Sequence, residues 1–177
     1  MIKWRSATDS GEYEWYSNNF MSDENKKCPV DTERISVPDG ITILPSRCFM
    51  NMCQLKSVDL PPSLMKIYCS AFFCCCSLQC VNFPECLDYI SNCAFWGSQL
   101  KAVELSKSSV RIIHKGAFAQ CKHLSTVTLS DDLTKLGSAV FSGCTKLRHV
   151  SLPVTAKIIG KNCFAECKDL CIYIRLS

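Results

Sequence analysis

A phenylalanine returns every 23 residues along this chain. Phe49, Phe72, Phe95, Phe118, Phe141 and Phe164 are separated by five equal intervals. Repetition at a fixed period of roughly 20–50 residues marks a chain that folds as stacked units rather than around one closed core. Other columns keep step. Five residues before each Phe stand Leu44, Ile67, Ile90, Ile113, Leu136 and Ile159, and immediately before it a small residue: Cys48, Ala71, Ala94, Ala117, Val140 or Cys163. Six residues after it come Leu55, Leu78, Leu124, Leu147 and Leu170. The third repeat is one residue short before Leu100, and an extra residue within 106–110 restores the phase. Loops absorb such a compensated change while the packed columns stay fixed.

After each Leu the chain alternates, as LKSVDL, LQCVNF, LKAVEL, LSTVTL and LRHVSL. Period two with Val at the centre predicts a short strand with one buried face. Pro61, Pro84 and Pro153 follow at once and end it. The segment from the Ile column to the Phe is too short for a long helix. With Gly116, Gly137 and Gly160 near its start it is expected to form a helical or 3-10 turn on the convex side. One such unit cannot bury its own apolar residues, but stacked units can. Each interior side chain then contributes roughly 1.5–3 kcal/mol of burial before entropy is counted.

Composition narrows the function. The 20 Lys and Arg give a net charge of only +4 and form no run longer than Lys26–Lys27, so no nucleic-acid arm is expected. The longest apolar run, AFFCCC at 71–76, is too short to span a bilayer. The opening MIKWRSATDSGEYEWY has no apolar leader region. On that ground a cytoplasmic location and reduced thiols are expected.

The pattern L-x-x-V-x-L-P-x-x-L-x-x-I-x-x-x-A-F-x-x-C-x-x-L, running from Thr32 to Leu170, resembles the BspA-like leucine-rich repeats. That family is known from bacterial and protist proteins, many of them surface-exposed, so a cell-surface location is also open. The resemblance implies an α/β repeat solenoid: a right-handed coil with a concave parallel β-sheet and short helical or 3-10 turns on its convex side. Residues 32–177 would hold six repeats and the start of a seventh strand. The resemblance says little about activity, because repeats of this kind are chassis for binding.

The family repeat carries a Cys three residues after the Phe. Here that column reads Met52, Cys75, Ser98, Cys121, Cys144 and Cys167. Cys121, two residues before His123, could be a ligand or a nucleophile. A position that also accepts Met and Ser reads instead as a small, partly buried filler. The thiols between Cys69 and Cys93 are denser, and a metal-binding or redox protein built on them is the rival reading. No CxxC and no nearby His supports it. A disulfide ladder between rungs is geometrically open, since neighbouring strands lie about 4.8 Å apart.

Outward strand positions define three columns on the expected concave face. They include Lys56, Lys101 and Arg148, then Ser57, Thr126 and His149, then Asp59, Asn82, Glu104 and Thr128. This polar band, basic on one side and acidic on the other, is the candidate groove for a protein or glycan. No nucleophile–base pair, phosphate loop, HExxH or usable carboxylate pair occurs. A non-catalytic binding module without cofactor or metal is therefore expected.

Both ends break the pattern. Residues 1–31 carry Trp4, Tyr13, Trp15, Tyr16 and Phe20. They are expected to cap the first rung, or to extend it as a partner-binding segment. At the other end CIYIRLS should begin a seventh strand. Sliding it by one residue turns Ile172 and Ile174 inward in place of Tyr173 and Arg175, so the slipped register is expected. Its outer edge is expected to self-associate, to be covered by the N-terminal segment folding back, or to continue into further repeats of a longer protein.

Overall fold

In a computed structural model of the chain, residues 31–175 are described in full, with the backbone alone of 2–5 and 12–15. Strands β1 (Ile2–Arg5) and β2 (Glu12–Trp15) pair antiparallel, and β1 runs beside β3 (Arg34–Ser36). Tyr16 and Phe20 lie outside the described residues, as do the side chains of Trp4, Tyr13 and Trp15.

From β3 onward each repeat contributes two strands. A front strand of three to five residues comes first: β3, β5 (Ser57–Asp59), β7 (Cys80–Asn82), β9 (Ala102–Glu104), β11 (Thr126–Thr128), β13 (His149–Pro153) and β15 (Cys171–Arg175). A two-residue flank strand follows: β4 (Ile43–Leu44), β6 (Lys66–Ile67), β8 (Tyr89–Ile90), β10 (Ile112–Ile113), β12 (Lys135–Leu136) and β14 (Ile158–Ile159). The flank strands form one parallel sheet of six, in chain order and in 23-residue register. From β3 onward all pairing is parallel, so each of these strands is buried through the coil rather than by a hairpin partner.

The core is the one the columns predicted. Phe49, Phe72, Phe95, Phe118 and Phe141 are fully buried, as are the Ile/Leu column up to Leu136 and Val58, Val103, Val127 and Val150. The Phe rings form a continuous stack from Phe49 to Phe164, with centroids 4.9–5.7 Å apart. Phe164 ends it, half-buried.

The expected helical or 3-10 turns are not there. No helix occurs among the described residues, and the segment around each Phe zigzags between right- and left-handed backbone. Left-handed residues stand two before the Phe (Arg47, Ser70, Cys93, Gly116, Ala139, Asn162) and two after it (Asn51, Cys74, Gly97, Gln120, Gly143, Glu166), with φ between 53 and 76°. A left-handed turn residue other than Gly costs about 1 kcal/mol, and bonds between rungs offset it. The N–H groups of Arg47, Phe49 and Asn51 donate to Cys69, Ala71 and Phe73 on the next rung at 3.0, 2.8 and 2.8 Å. The same triplet recurs down the coil, while Met50 and its counterparts close local turns instead. A helix would spend these donors within its own rung.

The front sheet is not continuous. It divides into β3–β5–β7 and β9–β11–β13–β15. The break falls at the residue missing before Leu100, where the connection thins to Lys101 N–H on the Gln79 carbonyl at 3.4 Å. Phe83 sits there in place of a core Leu and packs edge-on against Phe95 and Phe118.

At the C-terminus Val150 pairs with Ile172 and Leu152 with Ile174, which is the slipped register. Tyr173 then faces outward and stacks on His149, with centroids 6.0 Å apart. Arg175 reaches back to the Leu129 carbonyl at 2.8 Å and to Asp131 with its Nε at 3.0 Å.

Candidate functional site

The register assembles the candidate columns into two patches. On the first part of the front sheet Arg34, Ser57 and Cys80 align, as do Ser36, Asp59 and Asn82. On the second, Ala102, Thr126 and His149 align, as do Glu104, Thr128 and Ser151. Lys56, Lys101 and Arg148 stand exposed beside them. The side chains differ in freedom. Lys56 is held by Glu33 at 2.7 Å, and Asn82 Oδ1 accepts the Leu60 N–H at 3.0 Å in place of a strand carbonyl. Partial burial of Glu104 opposes its charge. Hydrogen bonds from Ser106 and Thr128, with Arg175 nearby, outweigh it and hold the carboxyl below its ordinary range. These contacts tie part of the acidic column into the fold, while Lys101, Thr126, Arg148 and His149 remain exposed.

The cysteine column is structural. Cys75, Cys121 and Cys144 are fully buried. Their thiols donate to the carbonyls of Phe49, Phe95 and Phe118 on the preceding rung at 3.0, 3.3 and 3.2 Å. Ser98 occupies the same column and meets the Cys121 sulfur at 3.2 Å. Cys121 is thus more deeply buried than the sequence suggested, and it forms no pair with His123, which is exposed. His123 instead lines a shallow cavity of about 280 Å³ with Cys76 and Trp96, the indole being stacked on Phe73 at 4.7 Å.

The denser thiols fan apart: Cys75 points inward and Cys76 outward, with Cys74 half-buried. Burial is the leading cause that pushes the thiols of Cys74, Cys75, Cys76 and Cys93 up, Cys75 to about 12. A thiol held protonated at neutral pH is the opposite of an activated nucleophile or a ready metal ligand. Among the described residues no group of three or more His, Cys, Asp or Glu side chains stands close enough to hold a metal ion, and every described cysteine is a free thiol.

Sequence reasoning overlooked the outer face of the flank sheet. The first residue of each flank strand points outward, so Lys66, Tyr89 and Ile112 lie side by side there. Together with Met65, Asp88 and Arg111 they line a groove of about 620 Å³, walled by Ser63, Cys86 and Ser109. Tyr68 packs edge-on against Tyr89 at 6.0 Å, and Tyr89 contacts the His114 ring at 4.8 Å. Two buried polar atoms here, Asp88 Oδ1 and His114 Nε2, have no hydrogen-bond partner among the described residues. Burial, with Lys135 second, lowers the His114 pKa, so the ring is neutral at pH 7. Tyr68 and Tyr89, 21 residues apart and flanking the Ile column, were the available signal. It was lost because that segment was read as a turn.

Comparison with solved structures recovers the same coil. A leucine-rich repeat protein from Bacteroides ovatus is similar at 32% identity over 82% of this chain and 37% of its own, with a TM-score of 0.75. A leucine rich cell surface protein from Faecalibacterium prausnitzii shares 26% identity over 80% of this chain and 47% of its own, with a TM-score of 0.62. The T. pallidum leucine rich repeat protein shares 26% over 82% of this chain and 59% of its own, with a TM-score of 0.55. This chain thus spans between about a third and three-fifths of the length of these relatives. No curated protein matches it. Six copies of the BspA type leucine rich repeat are matched over residues 24–109 and 97–175, together almost the whole solenoid with its Phe stack and 23-residue register, and the chain belongs to that family.

Proposed function

We propose that this chain is a non-catalytic binding module that engages a protein partner through the front sheet, chiefly its second part. The observation that carries this reading is the register from β9 to β13. It aligns Thr126 with His149 and places Lys101 and Arg148 at the entries of these strands, two rungs apart with Ser125 between them, all four exposed on a parallel scaffold. A polar face carrying cations of this kind suits steered association with an acidic protein surface. A glycan is the weaker fit, because sugar rings favour aromatic platforms. Among the described front-strand residues the rings facing outward are His149 and Tyr173, together at one end. A cell-surface setting draws support from the Faecalibacterium relative. Among the described residues no helix is long and apolar enough to cross a membrane. Residues 1–31, whose β1 lies beside β3, serve in this reading as the cap of the first rung.

The test places a photo-crosslinking amino acid at Thr126 on the front or at Lys161 on the opposite turns, and exposes each protein to extract from the cells that make it. A partner captured from Thr126 alone, and lost on Lys101→Glu with Arg148→Glu, is the expected result. Equal capture from both positions refutes the front-sheet reading. Lys56 is a poor choice for charge reversal, since a carboxylate there would face Glu33.

The C-terminal edge supports a second contact, self-association. Ile172, Ile174 and Ile159 are exposed there although they continue core columns, and Ile158 is exposed beside them at the end of the outward column.

A further inference from the structure

We propose that the groove on the outer face of the flank sheet, on β6, β8 and β10, is a second docking site, and that it takes an extended acidic segment carrying one large apolar side chain between two carboxylates. This site is distinct from the front sheet and does not depend on that surface binding anything.

The lining sets the chemistry. Met65, Tyr89 and Ile112 give the groove an apolar floor across three rungs, and Met65 and Tyr68 expose 42% and 36% of their surface to water. Clustered Tyr, Met and Arg on an otherwise polar surface is the composition of an interface centre. Lys66 and Arg111 stand on the outer two of these rungs, with Tyr89 on the middle one. Two rung spacings separate the cationic positions, about 10 Å at 4.8 Å per strand. In an extended segment, alternate residues share a face. Residues i and i+4 then lie about 13 Å apart, within the reach of the long Lys and Arg stems, and residue i+2 lies between them, over Tyr89. An acidic–apolar–acidic alternation therefore meets cation, aromatic and cation in order.

The orphaned atoms point the same way. Asp88 is the one carboxylate among the groove's lining residues, and its buried Oδ1 accepts no hydrogen bond from the described residues. An unmet buried acceptor is unfavourable, and a backbone N–H of a segment laid along the groove would satisfy it. A sugar or a nucleotide would bring no such repeating N–H. The neutral His114, in contact with Tyr89, adds apolar surface without opposing charge.

The experiment uses the full chain and two fluorescein-labelled peptides, Gly-Ser-Glu-Ser-Phe-Ser-Glu-Ser-Gly and its counterpart with Lys for both Glu, read by fluorescence anisotropy. The Glu peptide is expected to bind at least tenfold more tightly, with a difference that shrinks as salt is raised. Lys66→Glu with Arg111→Glu should invert the preference toward the Lys peptide. This is a result that unfolding cannot imitate. Tyr89→Ala should weaken both peptides, and Lys101→Glu on the front sheet should change neither. Equal binding of the two peptides, no saturable binding up to millimolar concentration, or equal weakening by Lys101→Glu would each overturn the proposal.

Discussion

Replacing Phe118 by Ala removes the ring at the middle of the stack. That ring is fully buried. It lies 5.3 Å from Phe95 and 5.7 Å from Phe141, nearly parallel to both, and meets Phe83 edge-on at 6.3 Å. A buried Phe→Ala change costs about 3–5 kcal/mol, and both stacking partners lose a neighbour worth about 0.5–1.5 kcal/mol each beyond area. The upper half of that range is therefore expected. Phe164 ends the stack with one partner and partial exposure, so Phe164→Ala should cost about 1–2 kcal/mol. The contrast tests the architecture, because in a solenoid a central rung supports two interfaces and an end rung one. Urea melts followed by circular dichroism give both values, with a check that the m-value is unchanged. If Phe118→Ala unfolds the protein outright, Phe118→Leu against Phe164→Leu preserves the comparison. Equal losses at the two positions would refute the stack as the shared source of stability.

Three further outcomes follow from the same contacts. Cys121→Ser should cost below about 1 kcal/mol in the same melts, since Ser98 already fills that column and a hydroxyl can donate to the Phe95 carbonyl that now takes the thiol. Gly137→Ala should cost at least about 1–3 kcal/mol, because a Cβ there would lie 2.7 Å from the Lys115 nitrogen and 2.8 Å from the His114 carbonyl carbon of the previous rung. Alkaline conditions should destabilise the fold: burial raises Cys75 to about 12 and Cys163 to about 11 from 9.0. The unfolded chain therefore loses those protons first, and the stability present below pH 9 is lost as pH climbs toward 11–12. The slope is about 1.4 kcal/mol per pH unit for each thiol, and a melt series from pH 8 to 10.5 that stays flat would contradict it.

The stacked core was legible because repetition samples one packing problem six times. Any column that stays apolar at 23-residue spacing is interior whatever its local propensity, and so the Phe, Ile and Val columns were found. The slipped C-terminal register was legible for the same reason: only one alignment turned Ile172 and Ile174 toward the core. The turns were not. Their left-handed residues include Arg47, Ser70, Cys93 and Ala139, none of which advertises that backbone. Their conformation is fixed by donors that reach the next rung, a partner invisible to local spacing. Gly137 and Gly160 were taken as turn formers, whereas they permit close approach of neighbouring rungs. Misreading the turns also hid the flank sheet. Once Tyr89–Ile90 is a strand rather than the start of a helix, Tyr89 must point outward opposite buried Ile90, and the groove follows. The gap between β7 and β9 was half legible: the missing residue before Leu100 was seen, but not that a displaced strand would cost the front sheet its continuity.

The turn ladder also gives the coil a direction, and this decides how copies can join. Within the coil, each triplet of N–H groups on one rung meets the carbonyls of the rung after it. On the last rung the N–H groups of Asn162, Phe164 and Glu166 find no acceptor among the described residues, and on the first the carbonyls of Ser46, Cys48 and Met50 find no donor there. One end of the turn stack is therefore all donors and the other all acceptors. A two-fold pairing of C-terminal edges could zip β15 to β15, yet it would set donor rows against each other and leave them unmet on exclusion of water. β1 lies beside the front strand of the first rung and not beside its turn, so self-association through this edge is expected to be head-to-tail, with the turn acceptors of one copy on the donor row of the next, and such contacts do not close. Light scattering across a concentration series should show a mean mass that rises without a plateau at two copies. Ile174→Asp, at a position already 68% exposed, should restore the monomer without loss of stability. A discrete dimer that withstands dilution and survives Ile174→Asp would show that the ladder's polarity does not govern assembly.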